Sequence, residues 1–184
     1  MLFKLKNYIP NDVFRTVFDI DYNKLYEQGK RIILMDIDNT LIPYCKDYPT
    51  EELMLLFQKI TNIGFEIIFI SNNHKRRVES FSQTINSKFI NNAMKPFKKG
   101  YKKALKYVKP YGRKEIVAIG DQLMTDVLGA NRFGIDVILV KPLKRVTEKW
   151  YTRLNRRIEL RILNKIKKYY PKEHERFEVL DEKV

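Results

Sequence analysis

Cysteine is nearly absent from this chain: Cys45 stands alone, so no internal disulfide can form. Histidine is scarce as well, and His74 with His174 makes no plausible zinc set. Long apolar runs are missing, because Lys59 and Glu66 interrupt the most hydrophobic region well short of the roughly 18 residues that a membrane span needs. The opening residues Met1-Leu2-Phe3-Lys4-Leu5-Lys6 lack the apolar stretch and small-residue cleavage site of a signal peptide. Together these absences predict a reduced, cytoplasmic chain that is soluble or peripheral on the inner face of a membrane, with no transmembrane segment. Negative charge is also in deficit, with 22 acidic against 36 basic residues and a net charge of +14. That balance calls for an anionic partner: a phosphorylated substrate, nucleic acid or anionic lipid. The excess is concentrated, since Lys141 to Lys172 holds 12 basic and 2 acidic residues. A length of 184 residues suits one domain with a full core and an appended element.

What is present is organised around Ile32-Ile33-Leu34-Met35-Asp36-Ile37-Asp38-Asn39-Thr40-Leu41. Its apolar, β-branched lead shows no alternation, which predicts a central parallel strand covered on both faces. The run ends in two carboxylates one residue apart, and in parallel α/β sheets ligands bind at the carboxyl ends of strands. Side chains at i and i+2 leave an extended chain on the same side, so Asp36 and Asp38 are expected to face one small site. Crowded acids repel, and a hard divalent cation with oxygen ligands, Mg²⁺, relieves that repulsion. An EF-hand loop is excluded: its Gly and Glu positions fall on Leu41 and Asp47.

Helices are expected over 22–28, 50–62, 75–84, 98–109 and 124–133, and further strands over 66–70, 89–93, 115–119 and 136–140. Strands alternating with helices imply right-handed βαβ units in one doubly wound, Rossmann-like parallel sheet of the α/β class. The expected organisation is an N-terminal segment (1–30), a catalytic domain (31–140) and a basic helical extension (141–184) packed on or beside it. Four strand ends then carry polar groups: Asp36 with Asp38, Ser71, Lys95, and Asp121 with Asp126. Topology alone brings them to one edge of the sheet. The set suits phosphoryl transfer, with one aspartate to attack phosphorus and a second to protonate the leaving oxygen and then activate water. A hydroxyl, a lysine and a cation would hold the phosphoryl oxygens.

In this order, Asp36-Ile37-Asp38-Asn39-Thr40-Leu41, Ser71-Asn72, Lys95-Pro96 and Gly120-Asp121 with Asp126 resemble the four motifs of the haloacid dehalogenase (HAD) superfamily of phosphohydrolases. The resemblance covers 31–140 and implies Asp36 as nucleophile, Asp38 as general acid/base, and Ser71, Asn72 and Lys95 as phosphoryl-binding groups. It further implies Mg²⁺ held by Asp36, the backbone carbonyl of Asp38 and Asp121, with Asn39, Thr40 and Asp126 in support. Ser71 follows Asp36 by 35 positions and Asp121 follows Lys95 by 26, leaving room for one helical crossover in each gap and none for an inserted cap domain. The chain is therefore similar to the capless class IIIA group, whose open site suits large substrates. The N-terminal segment, the form of the first motif and the tail Thr152-Arg153-Leu154-Asn155-Arg156-Arg157-Ile158-Glu159 are most similar to the YqeG family, itself similar to the phosphatidylglycerophosphate phosphatases of mitochondria and plastids. What this resemblance implies is a Mg²⁺-dependent phosphomonoester hydrolase acting on phosphatidylglycerophosphate in phosphatidylglycerol synthesis. The rival readings are a phosphatase acting on RNA or a ribonucleoprotein, and a non-catalytic interaction module.

Other residues have plainer readings. Val17-Phe18-Asp19-Ile20-Asp21 repeats the apolar-then-acidic pattern, but its lead is short and Asp21 has a sufficient role as a helix cap. Cys45 has no visible general base and reads as a bystander. His74 reads as a solvated helix start, and Lys75, Arg76 and Arg77 as either a solvated surface or a grip on a second anion. From about Val146 to Tyr170, Trp150, Leu154, Ile158, Ile162 and Ile166 recur every four residues, with Arg153, Arg156, Arg157, Lys167 and Lys168 mostly opposite. Such a basic amphipathic helix fits an anionic membrane surface or nucleic acid, and equally a helix docked on the sheet domain.

Overall fold

The computed structural model describes residues 3–144, 148 and 150–180, of Tyr151 the backbone only; Met1, Leu2, Val146 and the last four residues of the tail lie outside the described residues. Strands β1 (Asp12–Phe14), β2 (Ile32–Met35), β3 (Glu66–Ile70), β4 (Lys88–Ile90), β5 (Ile116–Gly120) and β6 (Asp136–Val140) form one sheet in the order β1-β6-β5-β2-β3-β4. Every pair is parallel. Met35 lies opposite both Phe69 and Ile119, so β2, β3 and β5 end level with one another and deliver their following residues to a common rim.

Alternate residues of β2 feed opposite faces, as a strand period of two requires. Ile32 and Leu34 join a core with Ile68, Ala118 and Phe133, whereas Ile33 and Met35 join a second core with Phe57, Phe69 and Phe81. Helices α1 (Tyr22–Glu27), α2 (Glu51–Ile63) and α3 (Lys75–Gln83) cover the second face; α4 (Lys98–Tyr107), α5 (Leu128–Phe133) and α6 (Trp150–Tyr169) cover the first, and a short α7 (Pro171–His174) follows. The reason α2 is a helix is legible in its residues. Leu53, Leu56, Phe57 and Ile60 make one buried stripe, the Thr50 hydroxyl accepts from the Leu53 amide, and Gly64 closes the helix at φ 112°. Phe57, Phe69 and Phe81 meet edge to face, with centroids 5.1 to 6.3 Å apart.

Several details depart from the sequence reading. Residues 12–14 add an edge strand to β6, held partly by Asn11, whose amide and side-chain oxygen both bond the backbone of Val137. β4 spans Lys88–Ile90 rather than 89–93. The segment Leu123–Val127 is a π-helical turn, with the Val127 amide reaching back to the Gln122 carbonyl, and α5 begins only after it. The acids of the rival stretch are local caps: Asp19 accepts from the Thr16 amide and Asp21 from the Lys24 amide. Among the described residues no inserted domain interrupts the β2–β3 or β3–β5 intervals.

The tail is docked, but not along the stripe expected. Ile162 and Ile166 are buried in the first core and Ile158 packs against it, whereas Trp150 and Leu154 are exposed. A spacing of four exceeds the 3.6-residue turn, so such a stripe winds by about 40° per step and cannot keep one face inward for 16 residues. The buried face instead follows Thr152, Glu159, Ile162 and Ile166. Among the described residues no helix is long and apolar enough to cross a membrane.

Candidate active site

The first strand end places Asp36, which is 6% exposed, beside Lys95: the ammonium donates to Asp36 Oδ1 at 2.6 Å and to Asp126 Oδ1 at 2.6 Å. The Thr40 hydroxyl donates to Asp36 Oδ2 at 3.0 Å and lies 3.3 Å from Asp121 Oδ1. Asn39, at φ 66°, turns the chain between them in a conformation that asparagine tolerates better than most residues. The other Asp126 oxygen accepts from the Gln122 amide and the Thr125 hydroxyl, bonds that the π-helical turn makes possible. Gly120 is required here, because a Cβ would lie 2.4 Å from the Asp126 carboxyl carbon. Gly100 has a parallel role, since its Cβ would meet the Ala93 carbonyl at 2.6 Å just ahead of Lys95.

Asp38 faces a different set. Arg77 donates to Asp38 Oδ1 from Nε at 3.1 Å and from Nη2 at 3.0 Å, while Asn73 and Ser71 donate to Oδ2 at 3.2 and 3.4 Å. The remaining Arg77 nitrogen reaches exposed Asp47 at 2.5 Å. Thus of the three basic residues opening α3, Arg77 is buried on a catalytic candidate, while Lys75 and Arg76 are exposed. Asn72 exchanges two bonds with the Lys95 backbone, at 2.7 and 3.0 Å, and so ties the second motif to the third. Cys45 is exposed, and the His74 side chain caps α3 by accepting from the Arg77 amide.

Every residue expected from the strand ends therefore meets at one rim. Asp36, Asp38, Ser71, Asn72 and Lys95 line a cavity of about 270 Å³ together with Asn73, Tyr44, Gln122, Thr125, Thr152 and others. The sequence reading missed Arg156, which it placed on the polar face of the tail. Arg156 instead reaches into the site from α6, donating to the Asp121 carboxylate and to its backbone carbonyl at 2.7 Å. It also engages Glu148 at 2.9 Å and Glu159 at 3.0 Å. A signal was available: those glutamates are the two acids of an otherwise basic segment, and Thr152, Asn155, Glu159 and Ile162 follow true helical spacing.

The electrostatics favour a bound cation. Asp36, Asp121 and Asp126 are buried and each offers an oxygen within 4.8 Å of the others. Burial pushes Asp36 up to about 7 against the pull of Lys95, with Asp126 and Asp38 adding to the rise. Burial likewise holds Asp121 well above the ordinary carboxylate range despite Arg156. Burial alone would lower Lys95, but Asp126 and Asp36 outweigh it and keep the ammonium above its usual value. The Asn39 side-chain oxygen is buried without a partner among the described residues. Clustered oxygens and a surplus of negative charge suit a hard divalent ion. The Asp38 carboxylate, turned toward Arg77, is outside that trio, and only its backbone carbonyl remains as the ligand expected of it.

A family model described as HAD-hydrolase-like matches residues 92–145. Solved structures with similar folds include a protein of Listeria monocytogenes serotype 4b, 14% identical, with TM-score 0.49 over 69% of this chain and 99% of that one. Another is a haloacid dehalogenase-like hydrolase of Brucella suis 1330, 13% identical, with TM-score 0.49 over 67% and 93% of the two chains. Much nearer in sequence is the "Probable phosphatase YqeG" of Bacillus subtilis (strain 168), 36% identical over 163 residues, which are 89% of this chain and 94% of that protein. With identity at that level running through nearly the whole of both chains, this protein belongs to the YqeG family of HAD-like hydrolases.

Proposed function

We propose that the protein is a phosphatase that hydrolyses phosphomonoesters through an aspartyl-phosphate on Asp36. The observation that carries this reading is the setting of Asp36: its carboxylate lies on the cavity wall, steadied by Lys95 and Thr40, with Asp38 two residues on. Asp36 attacks phosphorus while the bond to the leaving oxygen breaks, and Asp38 gives that oxygen its proton. Asp38, now a carboxylate, takes a proton from water as the water oxygen attacks the same phosphorus and releases Asp36 and inorganic phosphate. Arg77 and Asn73 hold Asp38 in place for both steps. Asp36, Asp121 and the Asp38 carbonyl would hold Mg²⁺, which when bound supplies positive charge to the phosphoryl oxygens. Lys95 and the Ser71 hydroxyl bind those oxygens, Asn72 keeps Lys95 in register, and Asp126 fixes the ammonium.

The finer reading is that the substrate is phosphatidylglycerophosphate at an anionic membrane surface. It rests on the family resemblance and is supported by exposed apolar side chains on segments that build the site. Met94 and Phe97 flank Lys95-Pro96, and Trp150 and Leu154 lie on the helix that contributes Thr152 to the cavity. Apolar side chains set among basic residues favour an anionic interface. The test is phosphate release with Mg²⁺ from p-nitrophenyl phosphate and from vesicles carrying the lipid. Release from neither removes the phosphatase reading, whereas equal preference for soluble esters removes the lipid alone.

A further inference from the structure

We infer that Arg156 is a positioning residue of the metal site, so that the docked C-terminal helix, and not only the sheet rim, completes that site. The inference rests on the proposed role of Asp121 as a metal ligand. A guanidinium has five N–H donors, and in Arg156 each one has an acceptor. Nε and one Nη2 hydrogen go to Glu148, the other Nη2 hydrogen to the Asp121 carboxylate, and the two Nη1 hydrogens to the Asp121 carbonyl and to Glu159. The side chain is only 11% exposed, and its carboxylate partners Asp121, Glu148 and Glu159 are 0%, 1% and 8% exposed. A surface arginine making a chance contact would not be enclosed in this way.

The enclosure has a direction. Arg156 grips Asp121 at Oδ2 and at the backbone carbonyl, which fixes both the peptide and the side-chain torsion. Oδ1 faces Thr40, whose single proton is nearer Asp36, so Oδ1 retains acceptor capacity for a cation. Glu148 is tied in turn to Asn39 at 3.0 Å and Glu159 to the Met124 amide at 3.0 Å, so the clamp is anchored on both sides of the rim. The same helix buries Ile162 and Ile166 in the core, which sets the axial position of Arg156.

Removing a positive charge beside a metal site by itself favours cation binding, so the decisive variant keeps the charge and loses the planar fork. Mn²⁺, standing in for Mg²⁺, is titrated calorimetrically into the full-length protein without substrate, comparing wild type with Arg156→Lys. We expect a loss of affinity of about 10- to 100-fold, the usual effect of breaking a partner of a metal ligand. Turnover in Arg156→Lys should return at saturating Mn²⁺, because the defect lies in metal retention. Unchanged affinity in Arg156→Lys overturns the inference, and tighter binding shows Arg156 to be a competing counter-charge instead. If Arg156→Lys fails to fold, Glu159→Asp, which keeps the charge and shortens the reach to Arg156, is expected to weaken Mn²⁺ binding several-fold, and an unchanged value there overturns the inference equally. Wild-type protein that binds no Mn²⁺ would sink the metal reading underneath, an outcome separate from wild-type binding that Arg156→Lys leaves intact.

Discussion

Asp36 and Asp38 are the same residue type, two positions apart, and both are nearly buried, yet they have opposite company. Asp36 shares one lysine with Asp126 and sits among carboxylates, whereas Asp38 has an arginine fork, an amide and a hydroxyl largely to itself. The first is short of positive charge and the second is not. Environment rather than residue type thus separates a carboxylate placed to share a metal from one held in orientation by fixed donors.

The contrast is broken most severely at Asp36. Asp36→Asn should abolish phosphate release, by more than about 10³-fold, while circular dichroism and melting remain those of a folded protein, since Lys95 keeps Asp126. Retained turnover would remove Asp36 as nucleophile and with it the distinction. Asp38→Asn should lower kcat/KM, which reports the steps up to formation of the aspartyl-phosphate, by about 10²- to 10⁴-fold on an alkyl phosphate and clearly less on p-nitrophenyl phosphate, whose leaving oxygen needs no proton. An equal loss on both esters would mean that Asp38 does not act as the acid. Acidity sharpens the comparison further. Asp36 stands at about 7, so at pH 6 it holds a proton that a cation must displace and at pH 8 it does not. Calorimetric affinity for Mg²⁺ should accordingly rise between those values, and a flat profile would mean that Asp36 does not ligate. The smallest effect is expected at the outer end of the Arg77 bridge. Asp47 is 68% exposed, so Asp47→Asn should change stability by no more than about 1 kcal/mol in chemical denaturation and leave kcat within about twofold.

How far these contrasts were legible varies along the chain. The strands β2, β3, β5 and β6 were plain from unbroken apolar runs, and the acids, serine and lysine at their ends from position alone. β1 was not, because three residues on a sheet edge carry no periodic signal and become a strand only by pairing with β6. The π-helical turn at Leu123–Val127 escaped for a related reason: its wide hydrogen bonds answer to the position of Asp126 over Gly120, a close approach across the turn. Arg77 was visible only as one of three basic residues, and nothing local distinguishes it from Lys75. Arg156 was misassigned because a four-residue spacing imitates an amphipathic face that a helix cannot maintain.

The kinds of chemical group, their order and the layer architecture were determined by the sequence itself, because strand and helix periods and the residues that end them act over a few neighbours. Which cation meets which carboxylate was decided only in three dimensions. Arg77 and Asp38 are 39 positions apart and Arg156 and Asp121 35, and electrostatic pairing depends on distances through a buried, poorly screened interior that only the packed sheet and its docked last helix create.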